Sequence, residues 1–369
     1  MTPVRIGIVG CGNISSAYLR TIQRFPITTC VAVADLDPDR ARAKADEFGV
    51  KKVCTVDELM ADPDVEIVLN LTIPAAHYAI ASQAVAAGKH VFNEKPLCRT
   101  VEEGEKLMAA AKARGIRVGC APGTFLGAGL QTCRDIIDSG VIGTPVAALA
   151  LMLGHGHETW HPDPEFYYKP GGGPMLDMGP YYLTALVSLL GGIKSVVGAA
   201  AITEPERTIT SKPKAGQKIL VETPDHVAGL VHFASGAIGT IVTSFAVWNA
   251  HSRPIQIFGT KGTLYAPDPN SLGGPVSYKL AHESEAVEVA VTRPHADGRQ
   301  KWGIGVVDMA YAIRSGRPHR SSGDQALQIL KAMHGFIETS DQGAYREIGG
   351  TTDRPQPLPA DLKEDTLDE

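Results

Sequence analysis

No stretch of this 369-residue chain approaches the roughly 20 consecutive apolar residues that a membrane helix needs, so no membrane-spanning role is expected. Charge of one sign is not concentrated either. The 35 Lys and Arg are interspersed with 40 Asp and Glu, for a net charge of −5. A surface for nucleic acid or anionic lipid needs a dense basic face, which this pattern does not provide. Cysteine is sparse: six residues, at 11, 30, 54, 98, 120 and 133, sit singly with no C-x-x-C pair. That supports neither a disulfide framework nor a zinc site and reads as free thiols in a reducing compartment. Met1 leads almost directly into "VRIGIVGCGNIS", with no cationic leader or apolar signal core, so a cytoplasmic protein is expected. What is present is an ordinary globular composition, 44% hydrophobic and 20% charged, in a chain long enough for two domains.

The first 120 residues alternate apolar runs with amphipathic ones. "VRIGIVG" (4–10), "CVAVAD" (30–35), "EIVLNLT" (66–72), "KHVFNE" (89–94) and "IRVGCA" (116–121) are rich in Val, Ile, Leu and Ala, as strands buried on both faces of a parallel sheet are. Helices are expected over 14–24, 38–48, 75–87 and 101–114, with Pro38 in a first turn and Thr100 and Glu103 as a capping box. The alternation predicts a doubly wound α/β domain over 1–122. Beyond about residue 125 a helix at 128–139 is followed by strands at 144–153, 194–203, 218–234, 237–248, 253–259, 276–281 and 286–292. "FASGAIGTIV" reads as a hairpin turning at Ser235-Gly236, and helices near 304–315 and 323–341 close an antiparallel-rich α+β domain over 123–345. The polar, proline-containing tail, 346–369, is expected to be coil or an interaction arm.

Gly10-x-Gly12-x-x-Ser15 follows the first strand and opens a helix. In that context Gly10 permits a tight turn and Gly12 lets backbone approach a pyrophosphate. Asn13 and Ile14 then begin a helix whose N–H groups and positive dipole end face the anion. Ser15 replaces the third glycine with another small residue. Asp35 lies about 20 residues beyond the glycine turn, where a carboxylate accepts both ribose hydroxyls and repels a 2′-phosphate. NAD is therefore expected, with NADP the alternative that nearby Arg40 leaves open.

Open α/β sheets bind ligands at the carboxyl ends of their strands, here "TIPAAH" (72–77) and "NEKPL" (93–97). Thr72 and Pro74 are expected to line the dinucleotide, while His77 either reaches its ribose or belongs to the next helix. Glu94 flanks Lys95. A lysine partly buried beside a cationic nicotinamide has a depressed pKa and can hydrogen-bond a substrate hydroxyl or relay its proton.

"GGGPMLDMGPYYL" (171–183) places Asp177 and Tyr181 four residues apart, on one face at the start of a helix. Tyr182 reads as packing. In "HGHETWHPDPEFYY" (155–168), alternating His155 and His157 would share one strand face, yet with His161 they lack a Cys/His/Asp set to complete a shell, so no metal is expected.

The glycine turn, "TIPAAHYAIASQAVAAGKHVFNEKP" and "GGGPMLDMGPYYL" together resemble the glucose–fructose oxidoreductase/inositol dehydrogenase/MocA-like family, over residues 4 to about 340. The resemblance implies an N-terminal Rossmann domain and a C-terminal α+β domain on a large open, mainly antiparallel sheet, which often packs face to face in homodimers or homotetramers. It implies NAD(P)-dependent oxidation or reduction of sugars and cyclic polyols, with the lysine of E-K-P, here Lys95, catalytic. The family's D-x-G-x-[H/Y] maps onto Asp177 and Tyr181, both facing nicotinamide and substrate. Most relatives have histidine at the second position, and whether Tyr181 or Lys95 takes the proton is left open. Trp160 and His161 resemble a W-R pair beside the nicotinamide and substrate, with His157 a further substrate contact. Histidine in place of arginine argues against an anionic substrate. Where many relatives carry an Asn-Arg-Arg-like segment this chain has Ala-Pro-Gly-Thr, leaving Thr124 as a candidate substrate contact. Two rival readings are redox-assisted glycoside hydrolysis, by transient oxidation, elimination and re-reduction, and a non-catalytic nucleotide- and sugar-sensing regulator.

Overall fold

Strands β1 (Val4–Val9), β2 (Thr28–Ala34), β3 (Lys52–Val53), β4 (Ile67–Asn70), β5 (His90–Asn93) and β6 (Val118–Cys120) pair in parallel in the order β3-β2-β1-β4-β5-β6. This is seen in a computed structural model that describes residues 1–297, 302–349 and 353–368, to which all counts below refer. Helices α1 (Ser15–Arg24), α2 (Pro38–Phe48), α3 (Val56–Ala61), α4 (Pro74–Ala86) and α5 (Val101–Ala113) connect the strands. Strand order reverses between β1 and β4, and the crevice at such a switch point is where doubly wound sheets take ligands.

Local chemistry explains the helix starts. Asp37 accepts from the Asp39 and Arg40 N–H groups with Pro38 at the first turn of α2, and the expected Thr100–Glu103 capping box forms on α5. Thr55 and Glu58 make a second box, which starts the short α3 that the sequence pattern had not separated.

The second half holds α6 (Ala128–Asp138), β7 (Pro145–Leu153), α7 (Pro174–Leu190), β8 (Ile193–Ala201), β9 (Glu206–Thr208), β10 (Lys218–Leu220), β11 (His226–Phe233) and β12 (Ile238–Ser244). It continues with β13 (Ile255–Gly259), β14 (Gly262–Ala266), β15 (Val276–Leu280), β16 (Val287–Val289), α8 (Ile304–Ser315), α9 (Gly323–Gln342) and β17 (Arg346–Glu347). Nine strands form a sheet in the order β16-β15-β14-β13-β7-β12-β11-β8-β17, antiparallel except for β12 on β7. The expected strand 218–234 is broken. Its first part pairs with β9 in a separate two-stranded ribbon, and "VETPD" (221–225), whose proline has no ladder donor, turns the chain back into the main sheet.

Helices α6, α7 and α9 cover one face of the large sheet, with Phe336 seated over Gly198 and Gly229. The opposite parity leaves a second face on which Val197, Leu230, Thr240 and Leu149 lie in register across four strands, beside Ala228, Val242 and Leu151. Leu230 is exposed there and Leu149, Leu151 and Val242 are half-buried, so this face is an apolar stripe that the described residues leave open.

Beyond β17 the described tail is coil, one of the two forms expected, and is held against the rest of the protein. Arg346–Glu347 still pairs with β8, and residues 353–368, although irregular, are strapped down. Leu358, Leu362 and Leu367 are buried, Arg293 donates to the Leu358 and Pro359 carbonyls, Arg317 pairs with Asp368 at 2.6 Å, and Arg24 of α1 with Asp365 at 2.5 Å. The strap therefore touches both halves. No helix among the described residues is long and apolar enough to cross a membrane.

Candidate active site

A cleft of about 440 Å³ opens along the carboxyl ends of β4 and β5, walled by Thr72, Pro74, Glu94 and Lys95 on one side and by Tyr167, Asp177 and Tyr181 on the other. The glycine turn lies beside it. Gly10 has φ +98°, and a Cβ there would stand 2.7 Å from the Leu71 carbonyl, so only glycine fits. A Cβ on Gly12 would meet nothing within 4 Å, so its backbone is open to an approaching group. Asn13 and Ile14 are exposed, and α1 starts with no side-chain cap and no acid in its first turn. Asp35 is pinned: Oδ2 accepts from Cys11 N–H at 2.7 Å, Oδ1 accepts from Asp37 N–H at 2.9 Å, and Arg40 stands 3.5 Å away. Each oxygen keeps a lone pair for a ribose hydroxyl. Leu36 beside it is 98% exposed and Ile73 beside Thr72 is 70% exposed, apolar side chains suited to the faces of a flat base. These residues fit a bound NAD.

Two buried asparagines organise the strand ends. Asn70 donates to Asn93 Oδ1 at 3.0 Å and accepts from the Thr72 hydroxyl at 2.6 Å, which orients Thr72 at the cleft. Of the two places expected for His77, the ribose or the following helix, it takes the second, in α4. It is fully buried, with Nδ1 2.7 Å from the Pro96 carbonyl and Nε2 3.0 Å from the Thr72 carbonyl, so it braces the two ligand-edge loops from behind. Burial lowers its pKa below the usual histidine value.

Glu94 accepts from the Tyr18 hydroxyl at 2.7 Å and from Lys95 N–H at 2.8 Å, fixing the backbone from which Lys95 projects. The Lys95 ammonium donates to Asp177 Oδ1 at 2.6 Å and to the Asp177 carbonyl at 2.8 Å. Burial pulls its pKa down, but Asp177 and Glu94 together outweigh it and hold Lys95 above the ordinary lysine value.

Asp177 owes its place to the glycine-rich turn. Gly173 has φ +85° and closes against the Pro224 carbonyl, Pro174 fits the first turn of α7, and Asp177 N–H bonds to Gly173 O at 3.0 Å. One turn on, Tyr181 lines the cleft with its ring face 5.4 Å from the Lys95 ammonium. Burial, then Glu94 and Asp177, push its phenol well above the usual tyrosine value, so it keeps its proton and is unsuited to act as a base.

His157 reaches Asp177 from the other side, with Nε2 3.5 Å from Oδ2 and its ring stacked on Tyr167 at 3.8 Å. Trp160 and His161 do not line the cleft. Trp160 is 62% exposed and tilted against the His157 ring at 5.1 Å, and His161 Nδ1 accepts from Asp163 N–H in its own loop. Thr124 is likewise corrected: it is buried in a single helical turn, 124–126, away from the cleft wall. His155 stacks on Trp248, whereas His157 and His161 both pack against Trp160 and Tyr167.

Sequence reasoning missed Phe166, Tyr167, Asn270 and Trp302, all lining the cleft. Tyr167 stood inside "EFYY" and could have been weighed; Asn270 and Trp302 arrive from distant loops with no local signal. It also missed what holds the loop carrying His157. Arg207 bridges Glu158 and Asp225 at 2.9 Å each, and Glu158 accepts a short bond from the Tyr168 hydroxyl.

The family described as "Oxidoreductase family, NAD-binding Rossmann fold" matches residues 4–121, and the GFO/IDH/MocA C-terminal domain matches residues 130–265. The chain is 30% identical over 266 residues to a 1,5-anhydro-D-fructose reductase of Ensifer adhaerens, covering 70% of this chain and 74% of that one. It is 24% identical over 265 residues to a myo-inositol 2-dehydrogenase of Thermotoga maritima, covering 71% and 75%. Among solved structures, levoglucosan dehydrogenase in complex with NADH and levoglucosan superposes with a TM-score of 0.80 at 21% identity, over 94% of this chain and 100% of that one.

Proposed function

The chain belongs to the GFO/IDH/MocA oxidoreductase family and is an NAD-dependent enzyme, and we propose that it moves a hydride between nicotinamide and a ring carbon of a sugar, sugar derivative or cyclic polyol. The observation that carries this reading is the Lys95–Asp177 pair, 2.6 Å apart in the cleft beside the dinucleotide edge. Bound NAD supplies the hydride acceptor or donor. Lys95, held charged by Asp177, hydrogen-bonds the reacting oxygen and stabilises negative charge on it. Tyr181, protonated, donates a second hydrogen bond, and the rings of Tyr167, Phe166 and Trp302 present apolar faces to a sugar's C–H face, among a few polar groups. Relatives named as reductases or dehydrogenases of anhydrofructose, inositol and levoglucosan support the substrate class. Gly10, Gly12, Asn13, Ile14, Asp35, Thr72, Pro74 and Glu94 form the cofactor side in this reading, and the open sheet face is where two copies pair.

Tyr181 keeps a second reading in view. A phenol that stays protonated suits a general acid, as redox-assisted cleavage of a glycoside requires. Incubation with NAD and a panel of sugars, polyols and glycosides separates the two. NADH accumulating with the oxidised sugar supports the oxidoreductase, whereas aglycone release without NADH supports cleavage.

A further inference from the structure

Asp177 is shared. Oδ1 engages the Lys95 ammonium at 2.6 Å while Oδ2 faces His157 Nε2 at 3.5 Å. That gap is longer than an ordinary N–H···O bond and short enough to close when a substrate settles. The His157 ring is clamped, stacked on Tyr167 at 15° and met edge-on by Phe245 at 4.7 Å. Its other nitrogen, Nδ1, is buried with no hydrogen-bond partner among the described residues. His77 shows the contrast, with a carbonyl on each nitrogen. With Nδ1 unpartnered, nothing locks the tautomer of His157, so Nε2 can serve as lone pair or as N–H. A group that takes and returns a proton through one nitrogen needs that freedom.

We propose that His157 is the proton-holding partner of the Lys95–Asp177 pair, which rests on the reading of that pair as the reacting centre. In oxidation the Lys95 ammonium first gives a proton to Asp177 Oδ1, and the amine lone pair so freed takes the proton of the substrate O–H as that bond breaks. The carboxyl turns and passes that proton to His157 Nε2, so the net transfer is one proton from the hydroxyl to the imidazole. The electron pair of the broken C–H bond leaves with the hydride to NAD. Reduction runs the same sequence backwards. His157 acts through Asp177 and is a positioning and proton-holding residue rather than one that touches substrate.

The surrounding charges suit the task. Burial lowers the pKa of His157, Asp177 raises it, Lys95 and His161 lower it, and Glu158 raises it, with a net fall below the usual histidine value. The ring is therefore neutral and ready to accept at physiological pH. The other candidate acceptor, Tyr181, is held protonated.

The test follows the imidazole resonances by NMR in the full-length protein with nitrogen-labelled histidine. Asp177→Asn should move the His157 titration to lower pH and Lys95→Gln should move it to higher pH. An unmoved titration in both variants, or a shift of the same sign in both, overturns the proposal. In the oxidation assay the wild type should lose kcat as pH falls through the His157 titration. His157→Gln should lower kcat by about a hundredfold, remove that acid limb and leave KM and NADH binding unchanged. An acid limb that survives in His157→Gln, or a defect confined to KM, also overturns it. The NMR arm needs no substrate, so failure of the sugar reading and failure of the relay are distinguished.

Discussion

Replacing Asp35 by alanine should reverse the cofactor preference, and the size of the effect follows from how the carboxylate is held. Two backbone N–H groups, from Cys11 at 2.7 Å and Asp37 at 2.9 Å, pre-orient it at the cofactor edge. No ordering cost then falls on the side chain when it accepts two ribose hydroxyls. Hydrogen bonds to a charged group contribute about 1.5–3 kcal/mol each, and the freed hydroxyls regain water in the variant. A net loss of about 2–3 kcal/mol corresponds to NAD binding weakened roughly 30- to 150-fold. NADP should move the other way. The variant removes a negative charge facing the 2′-phosphate and releases Arg40, 3.5 Å from Asp35 and half exposed, to meet it. Each change is worth about 1 kcal/mol for charges some 4 Å apart in a watery setting. The ratio of NAD to NADP affinity should therefore swing by more than about a hundredfold. Isothermal titration of both nucleotides into wild type and Asp35→Ala, with melting curves to confirm the fold, measures it. NAD affinity that does not change, or NAD and NADP weakening equally, would refute the assignment of Asp35.

Three further outcomes are expected. Lys95→Met should lower kcat/KM by about 10²–10⁴-fold while NAD affinity, read by titration, stays within about tenfold; a variant that turns over normally removes Lys95 from the mechanism. Arg207→Met leaves the carboxylates of Glu158 and Asp225, 5% and 0% exposed, without their shared cation. Breaking such a buried pair costs about 3–5 kcal/mol, so calorimetry should show Tm lower by about 4–6 °C, and an unchanged Tm contradicts the bridge. Leu230→Glu places a charge in the middle of the open sheet face; light scattering should find wild-type oligomers and a monomeric variant, and a wild type already monomeric rules out pairing through that face.

Much of the first half was legible because a buried parallel strand is a continuous apolar run, and caps and glycine turns are local signals. Helices 38–48 and 304–315 lie where the pattern places them, and the turn at Ser235-Gly236 joins β11 to β12. Lys95 and Asp177, 82 residues apart, could be paired in advance through the family resemblance, which supplied the contact that spacing does not. The failures share a cause. The cleft positions expected for Thr124, Trp160 and His161 rest on residue type near a motif, but burial and rotation about the backbone decide what faces a cleft. Spacing alone gives no sign of the carboxylate 2.6 Å from Lys95 that holds its pKa up. The tail was judged by its polarity, yet three leucines and a set of arginine partners pin it across both halves.

The central claim is that the Lys95–Asp177 centre strips the proton from an alcohol whose carbon yields its hydride to NAD. The most direct measurement uses the sugar or polyol that responds in the panel, deuterated at the reacting ring carbon, and follows the label by mass spectrometry of the nucleotide. One deuterium in NADH for each molecule of oxidised product, with the transfer abolished in Lys95→Met, is the predicted result. Label released to solvent, or recovered in a cleaved sugar with no NADH formed, would contradict it.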